Sequence, residues 1–246
     1  MKAIIFAAGL GSRLGQITRD KPKALIEIGG KPLLELAIRK LMKYGVDEII
    51  INIHHMGEMI IDFLKVKKNF GIRIEISDER EQLMDTGGGL MKASWFFDDK
   101  NPFLTYNVDV LSTLDLSAFV QYHNNSGSLV SLACKARNTE RYFLTDQNNR
   151  LTGWENRQTG ERIDSARVSG EVFRVGYSGI SVIEPELLNL VTERGPFSLT
   201  SLYLRLARKK TILVYRHDED FWMDIGKTEQ LKAALNYFKN RDVALL

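Results

Sequence analysis

Two aspartates, two cations and two glycine clusters are the residues of this 246-residue chain whose types and spacing could do chemistry. Asn107-Val108-Asp109 and Trp222-Met223-Asp224-Ile225-Gly226 each place a carboxylate after an apolar run. Two carboxylates suit Mg²⁺, which takes few protein oxygens and completes its shell with phosphate and water. Spacing alone leaves open whether Asp109 and Asp224 meet, and each has a turn or helix cap as its alternative. The first glycine cluster is Ala7-Ala8-Gly9-Leu10-Gly11-Ser12-Arg13-Leu14. Glycines there let backbone N–H groups converge on an anion. Arg13 and the following Lys21-Pro22-Lys23 add cations of the kind that grip a triphosphate, with a solvated basic turn as the alternative. The second cluster, Asp85-Thr86-Gly87-Gly88-Gly89, reads as lying just before a helix. It would leave space for a flat group and offer unpaired N–H donors.

The elements that must position these residues follow from hydropathy. Residues 3–8 are apolar on both faces, as a strand buried between helix layers must be. Helical spacing over 32–42 precedes an apolar run at 48–53; a helix at 57–64 and an alternating run at 72–76 follow. Helices are expected at 89–96 and 116–123, and strands at 103–106 and 128–134. This alternation predicts an α/β fold with a parallel sheet of β-α-β units, its ligands at the carboxyl edge. From 138 to 175 the texture turns polar and glycine-punctuated, which predicts a hairpin-rich insertion with a loop near 158–169. A strand at 179–183, helices near 185–191 and 199–207, a strand at 212–215 and a helix at 228–238 close a single expected domain of residues 1–246.

Several classes fall away. The net charge of +3, from 34 basic and 31 acidic residues dispersed along the chain, does not describe a nucleic-acid partner. No apolar stretch reaches the roughly 18 residues that span a bilayer, and the N-terminus has no secretory pattern, so no membrane association and a cytoplasmic location are expected. Cys134 has no second cysteine to pair with. His54 and His55 are adjacent and would face apart on a strand, which argues against a shared metal. Leu14 stands where a dinucleotide fingerprint needs a third small residue, and no serine or cysteine nucleophile motif is present.

With those blocks on the page, the sequence resembles the sugar-1-phosphate nucleotidyltransferases. Ala7-Ala8-Gly9-Leu10-Gly11-Ser12-Arg13 with Thr18 and Pro22-Lys23 resembles their signature loop. The other three blocks and Tyr177-Ser178-Gly179-Ile180-Ser181 follow in order across nearly the whole chain. The branch it is most similar to is the short N-acetylmuramate 1-phosphate uridylyltransferase type, related to mannose- and heptose-1-phosphate guanylyltransferases. The resemblance implies a Rossmann-like three-layer α/β/α architecture, the nucleotide-diphospho-sugar transferase fold, around a mostly parallel mixed sheet. It implies that an NTP (UTP, GTP or CTP) and a sugar 1-phosphate become an NDP-sugar and pyrophosphate with Mg²⁺ as cofactor, in a monomer or homodimer.

By position, the resemblance assigns Ala8, Gly9, Gly11, Ser12, Thr86 and Asn107 to the nucleotide, with Gly87 and Gly88 facing its base. Arg13 and Lys23 would grip the triphosphate, Asp109 and Asp224 would bind the metal, and Asp85, Glu155, Ser178 and Gly179 would border the sugar. Arg13, Lys23 and Asp109 are the expected catalytic group. Two departures stand out. Gly15 replaces a usual proline, and Asn156 follows Glu155 where relatives carry a lysine for the sugar phosphate; Arg157 is a candidate substitute. The chain stops at Leu246, so the β-helix acyltransferase of longer members is not expected. Competing readings are a choline-phosphate cytidylyltransferase of the same fold, a nucleotide-sensing subunit without chemistry, and a dinucleotide oxidoreductase.

Overall fold

The computed structural model describes residues 1–165 and 170–243. In chain order its elements begin with β1 (Lys2–Phe6), β2 (Glu27–Ile28), β3 (Lys31–Pro32), α1 (Leu33–Lys43), β4 (Glu48–Ile53), α2 (Gly57–Val66) and β5 (Arg73–Asp78). Next come α3 (Asp85–Lys92), β6 (Phe103–Asn107), β7 (Val110–Ser112), α4 (Leu116–Ser126), β8 (Val130–Lys135), β9 (Arg141–Thr145), β10 (Leu151–Asn156) and β11 (Arg162–Asp164). The chain continues through β12 (Phe173–Ile183), α5 (Glu186–Asn189), α6 (Leu199–Leu206), β13 (Ile212–Arg216), β14 (Trp222–Asp224) and α7 (Thr228–Phe238). Among the described residues no helix is long and apolar enough to cross a membrane.

β1 is apolar on both faces because each face meets its own core. Ala3 and Ile5 join Leu34, Ile38, Ile60 and Phe119, beneath α1, α2 and α4. Ile4 and Phe6 join Leu90, Leu187 and Leu202, beneath α3, α5 and α6. Alternation along a strand thus builds three layers. A third core packs Leu231, Ala234 and Phe238 of α7 on Leu14, Ile28, Leu111 and Ile225, which ties the glycine loop to the β7–β14 ribbon.

The sheet runs β11-β10-β9-β12-β6-β1-β4-β5, with β8 between β12 and β13. It is the mixed sheet between helix layers that was expected. Parallel pairing is confined to β6–β1–β4–β5 and β8–β13. β12 runs antiparallel to β6, β8 and β9, and the expected hairpins β9–β10–β11 extend that antiparallel half. Hydropathy marks a strand as buried without giving its direction, so the division into a parallel and an antiparallel half is visible only in the structure. The end of the loop expected near 158–169 lies outside the described residues.

Candidate active site

The two aspartates meet through a small antiparallel ribbon that hydropathy does not reveal. β14 pairs with β7 so that Asp224 lies opposite Val110, next to Asp109. The Ile225 N–H donates to the Asp109 carbonyl at 3.0 Å. Burial, and then repulsion from Asp109, hold the Asp224 carboxyl above the ordinary carboxylate range, against the pull of Arg137 and Lys23. The Lys23 ammonium pairs with Asp109 Oδ2, and Gln230 Nε2 donates to Asp224 Oδ1 at 2.7 Å. Two part-buried oxygen donors held under mutual repulsion fit a divalent cation such as Mg²⁺, with phosphate oxygens left to complete its shell. Among the described residues no cluster of three or more His, Cys, Asp or Glu forms an all-protein cage.

A cavity of about 420 Å³ opens beside Asp109, with Ala8, Gly9, Lys23, Thr86 and Asn107 in its wall. These come from the carboxyl ends of β1 and β6 and from the start of α3, except Lys23, which opens a 3-10 turn, Lys23–Leu25, in the loop between β1 and β2. Asn52 and Glu79, which the sequence reading missed, also line it. Asn52 Oδ1 accepts from the Ala7 and Ala8 N–H groups at 2.7 and 3.3 Å, while its Nδ2 donates to Glu79 Oε1 at 2.8 Å. Glu79 is fully buried, and its second oxygen accepts from the Met84 N–H at 3.0 Å. This chain of bonds fixes the entry to the glycine loop. The signal for Asn52 was present, since it is the single polar residue inside the apolar run 49–53.

The loop itself shows why its glycines are needed. Gly11 has φ +64°, and a Cβ there would lie 2.8 Å from Thr18 Cγ2. Gly15 has φ +57°, a conformation proline cannot adopt. Ser12 is exposed and is not in the cavity wall.

Gly87 and Gly88 require a correction. α3 begins at Asp85, so both lie inside its first turn, where glycine's poor helix propensity masks the start. Their N–H groups donate to the Phe197 carbonyl at 2.8 and 3.2 Å. A Cβ at Gly87 would lie 2.3 Å from the Phe197 ring, and one at Gly88 2.6 Å from the Gly195 carbonyl. They make room for residues 195–197 of this chain and face no ligand space. Asp85, expected beside the sugar, lines the cavity with Thr86 instead.

A cleft of about 680 Å³ opens on the other side of the pair, lined by Asp224, Arg13, Arg137, Trp154, Tyr177 and Gln230. Arg13 therefore faces this cleft and Lys23 the cavity; the structure separates the two expected cations. Trp154 and not Glu155 enters the cleft, because neighbours on β10 point to opposite faces. The Glu155 carboxylate is bound by Arg174, whose Nη2 donates to Oε2 at 3.2 Å and whose hydrogen bonding, aided by its charge, holds Glu155 below its ordinary range. Asn156 Oδ1 accepts from the Gln158 N–H at 3.0 Å and so caps a turn. Arg157 is exposed and outside the cleft wall.

Ser178 and Gly179 also leave the position expected of them. The β12–β8 register shifts between Tyr177 and Ser181, and Gly179 takes φ +78°. This bulge aims Tyr177 at the cleft and turns Ser178 inward, with its buried Oγ 2.7 Å from His217 Nε2. A Cβ on Gly179 would sit 2.8 Å from Asn107 Nδ2, so this glycine lets β12 close on the cavity wall. Neither residue faces the cleft. Arg137 had no sequence signal; it follows a strand end in an ordinary polar stretch.

Comparison with known proteins returns one consistent architecture. Residues 2–149 match the family described as nucleotidyl transferase. The chain is 28% identical to an N-acetylmuramate alpha-1-phosphate uridylyltransferase of Caulobacter vibrioides, over 94% of each chain. It is 27% identical to a UTP–glucose-1-phosphate uridylyltransferase of Synechocystis sp., over 99% of its own length and 64% of that relative, so it spans less than two thirds of the second protein. Among solved structures, a UDP-glucose pyrophosphorylase from Acinetobacter baumanii superposes with a TM-score of 0.78 at 18% identity, covering 99% of this chain and 95% of that one.

Proposed function

The chain belongs to the nucleotidyl transferase family, and from that premise we propose that it joins an NTP to a sugar 1-phosphate, giving an NDP-sugar and pyrophosphate. The observation that carries this reading is the arrangement of two ligand-sized spaces around one carboxylate pair, the cavity at Asp109 and the cleft at Asp224. A transfer between two phosphorylated molecules needs such a layout: two pockets, with the reacting phosphates at their border.

In the reaction, an oxygen of the acceptor phosphate attacks the α-phosphorus. A new P–O bond forms, the bond from that phosphorus to the bridging oxygen breaks, and pyrophosphate leaves with the electron pair. The acceptor's second pKa is about 6, so its oxygen is already deprotonated at neutral pH and the site needs no base. The obstacle is repulsion between polyanions. Lys23 on the nucleotide side and Arg13 on the acceptor side lower it, and the anchored backbone of Ala8 and Gly9 orients the triphosphate for in-line attack. Asp109 and Asp224 would hold Mg²⁺, which when bound neutralises phosphate charge and polarises the α-phosphate.

The relatives' names, uridylyltransferases and mannose-1-phosphate guanylyltransferases alike, support nucleotidyl transfer to a sugar 1-phosphate. The same reading makes the protein a cytoplasmic enzyme that supplies an activated sugar for cell-wall or surface polysaccharide. The test is a panel of UTP, GTP and CTP against sugar 1-phosphates and phosphocholine, read by pyrophosphate release. Turnover is expected with one NTP and a sugar 1-phosphate; turnover with CTP and phosphocholine alone contradicts the reading.

A further inference from the structure

We infer that Arg137 holds the phosphate of the acceptor in the cleft, the task for which Asn156 carries no charge. The inference rests on the reading of the cleft as the acceptor side. Arg137 lies over the Trp222 ring, with its guanidinium carbon 4.1 Å from the ring centroid. Its Nη2 donates to the Tyr177 carbonyl at 2.9 Å. No carboxylate contacts it: its Nε is buried without a hydrogen-bond partner, and no ion pair to it is found among the described residues. A part-buried guanidinium that touches a ring face and one carbonyl, and feels Asp224 only at a distance, is under-compensated, and an anion in contact would relieve that.

The surroundings are shaped to keep it there. A Cβ on Gly176 would fall 2.8 Å from Arg137 Nε, 2.9 Å from Cγ and 3.0 Å from Cζ. Gly176 has no left-handed backbone to explain it, so the space it leaves is the space Arg137 occupies. Arg137 shares the cleft with Arg13 and Asp224. A dianionic phosphate entering beside Asp224 would meet a cation in each arginine, at the border where the transfer occurs. The alternatives on the hairpin are committed elsewhere, since Asn156 caps a turn, Glu155 is paired with Arg174, and Arg157 is outside the wall.

The test uses Arg137→Gln, Arg137→Lys and Gly176→Ala in the full chain, with folding checked by thermal melting. Initial rates of pyrophosphate release are measured with each substrate varied in turn. Loss of one charge-assisted contact should raise KM for the sugar 1-phosphate roughly ten- to a hundredfold and leave KM for the NTP unchanged. Gly176→Ala, which removes no charge, should repeat the acceptor-side defect by displacing Arg137. Arg137→Lys keeps charge and stem, so a smaller defect of the same kind is expected from it even if the glutamine variant unfolds. If folded variants keep the acceptor KM, or raise the NTP KM instead, the assignment of Arg137 is overturned while the transferase reading stands. If the unmodified protein turns over no NTP and sugar 1-phosphate pair, both fall together.

Discussion

The cavity beside Lys23 and the cleft beside Arg13 adjoin the same carboxylate pair and are otherwise built from opposite kinds of backbone. The cavity sits at the carboxyl ends of parallel strands β1 and β6, where loops turn and N–H groups converge. The cleft is flanked by antiparallel β9, β10 and β12, whose alternating side chains present Phe143, Trp154 and Tyr177 as an aromatic wall. The two substrates of the proposed reaction thus rest on separate scaffolds, and only Asp109 and Asp224 serve both. Changes on one side should spare the other, and changes to the pair should spare neither.

The largest effect is expected at the pair. Asp109→Ala should lower pyrophosphate release roughly a hundred- to a thousandfold, as loss of a preorganised electrostatic group does. Near-normal release would break the claim that both sides depend on it. Asn52→Leu acts on the cavity alone: it orphans the Ala7 N–H and leaves Glu79 short of a partner, at a cost of about 1–3 kcal/mol read from urea unfolding. The NTP KM should rise and the acceptor KM should not; equal changes in both would show that the scaffolds are coupled.

Gly87→Ala sharpens the comparison differently. It forces a methyl against Phe197 and should cost about 1–3 kcal/mol in melting experiments, with substrate KM values unchanged. An NTP KM rise without lost stability would return Gly87 to the ligand. The smallest effect belongs to Glu155→Gln, because the Arg174 pair is part-exposed and contributes about 1 kcal/mol at most. Arg174 lowers the folded-state pKa of Glu155, so this contribution is present above the ordinary carboxylate value and fades as pH falls through the folded one. The stability gap between wild type and Glu155→Gln should therefore close below about pH 4. The acceptor KM should not move; if it does, Glu155 reaches the sugar after all.

The same contrast explains what the sequence made legible. The run at 3–8 had to be a two-faced strand, and the loop after it had to lie at a carboxyl edge, so the glycine loop, Lys23 and Asp109 stood out from local pattern. The resemblance singled out Ala8 and Asn107, and the structure gathers Ala8, Gly9, Lys23, Asn107 and Asp109 in one cavity wall. Even there the glycine run misled, because glycines opening a helix for Phe197 look the same in sequence as glycines opening a loop for a ligand. The cleft depends on strand direction, on a bulge at Gly179 and on which of Trp154 and Glu155 points inward. None of these leaves a one-dimensional trace, and a ribbon of three-residue strands is too short to show periodicity. Arg137 becomes visible only once Gly176 and Trp222 are seen around it.

The most direct test of the two-sided site is a crystal structure of the protein with its NDP-sugar product and Mg²⁺. The account predicts the nucleoside among Asn52, Thr86 and Asn107, the sugar against Trp154 and Tyr177, and the joining phosphates between Asp109 and Asp224. A product lying wholly within the cavity, with the cleft playing no part, would contradict it.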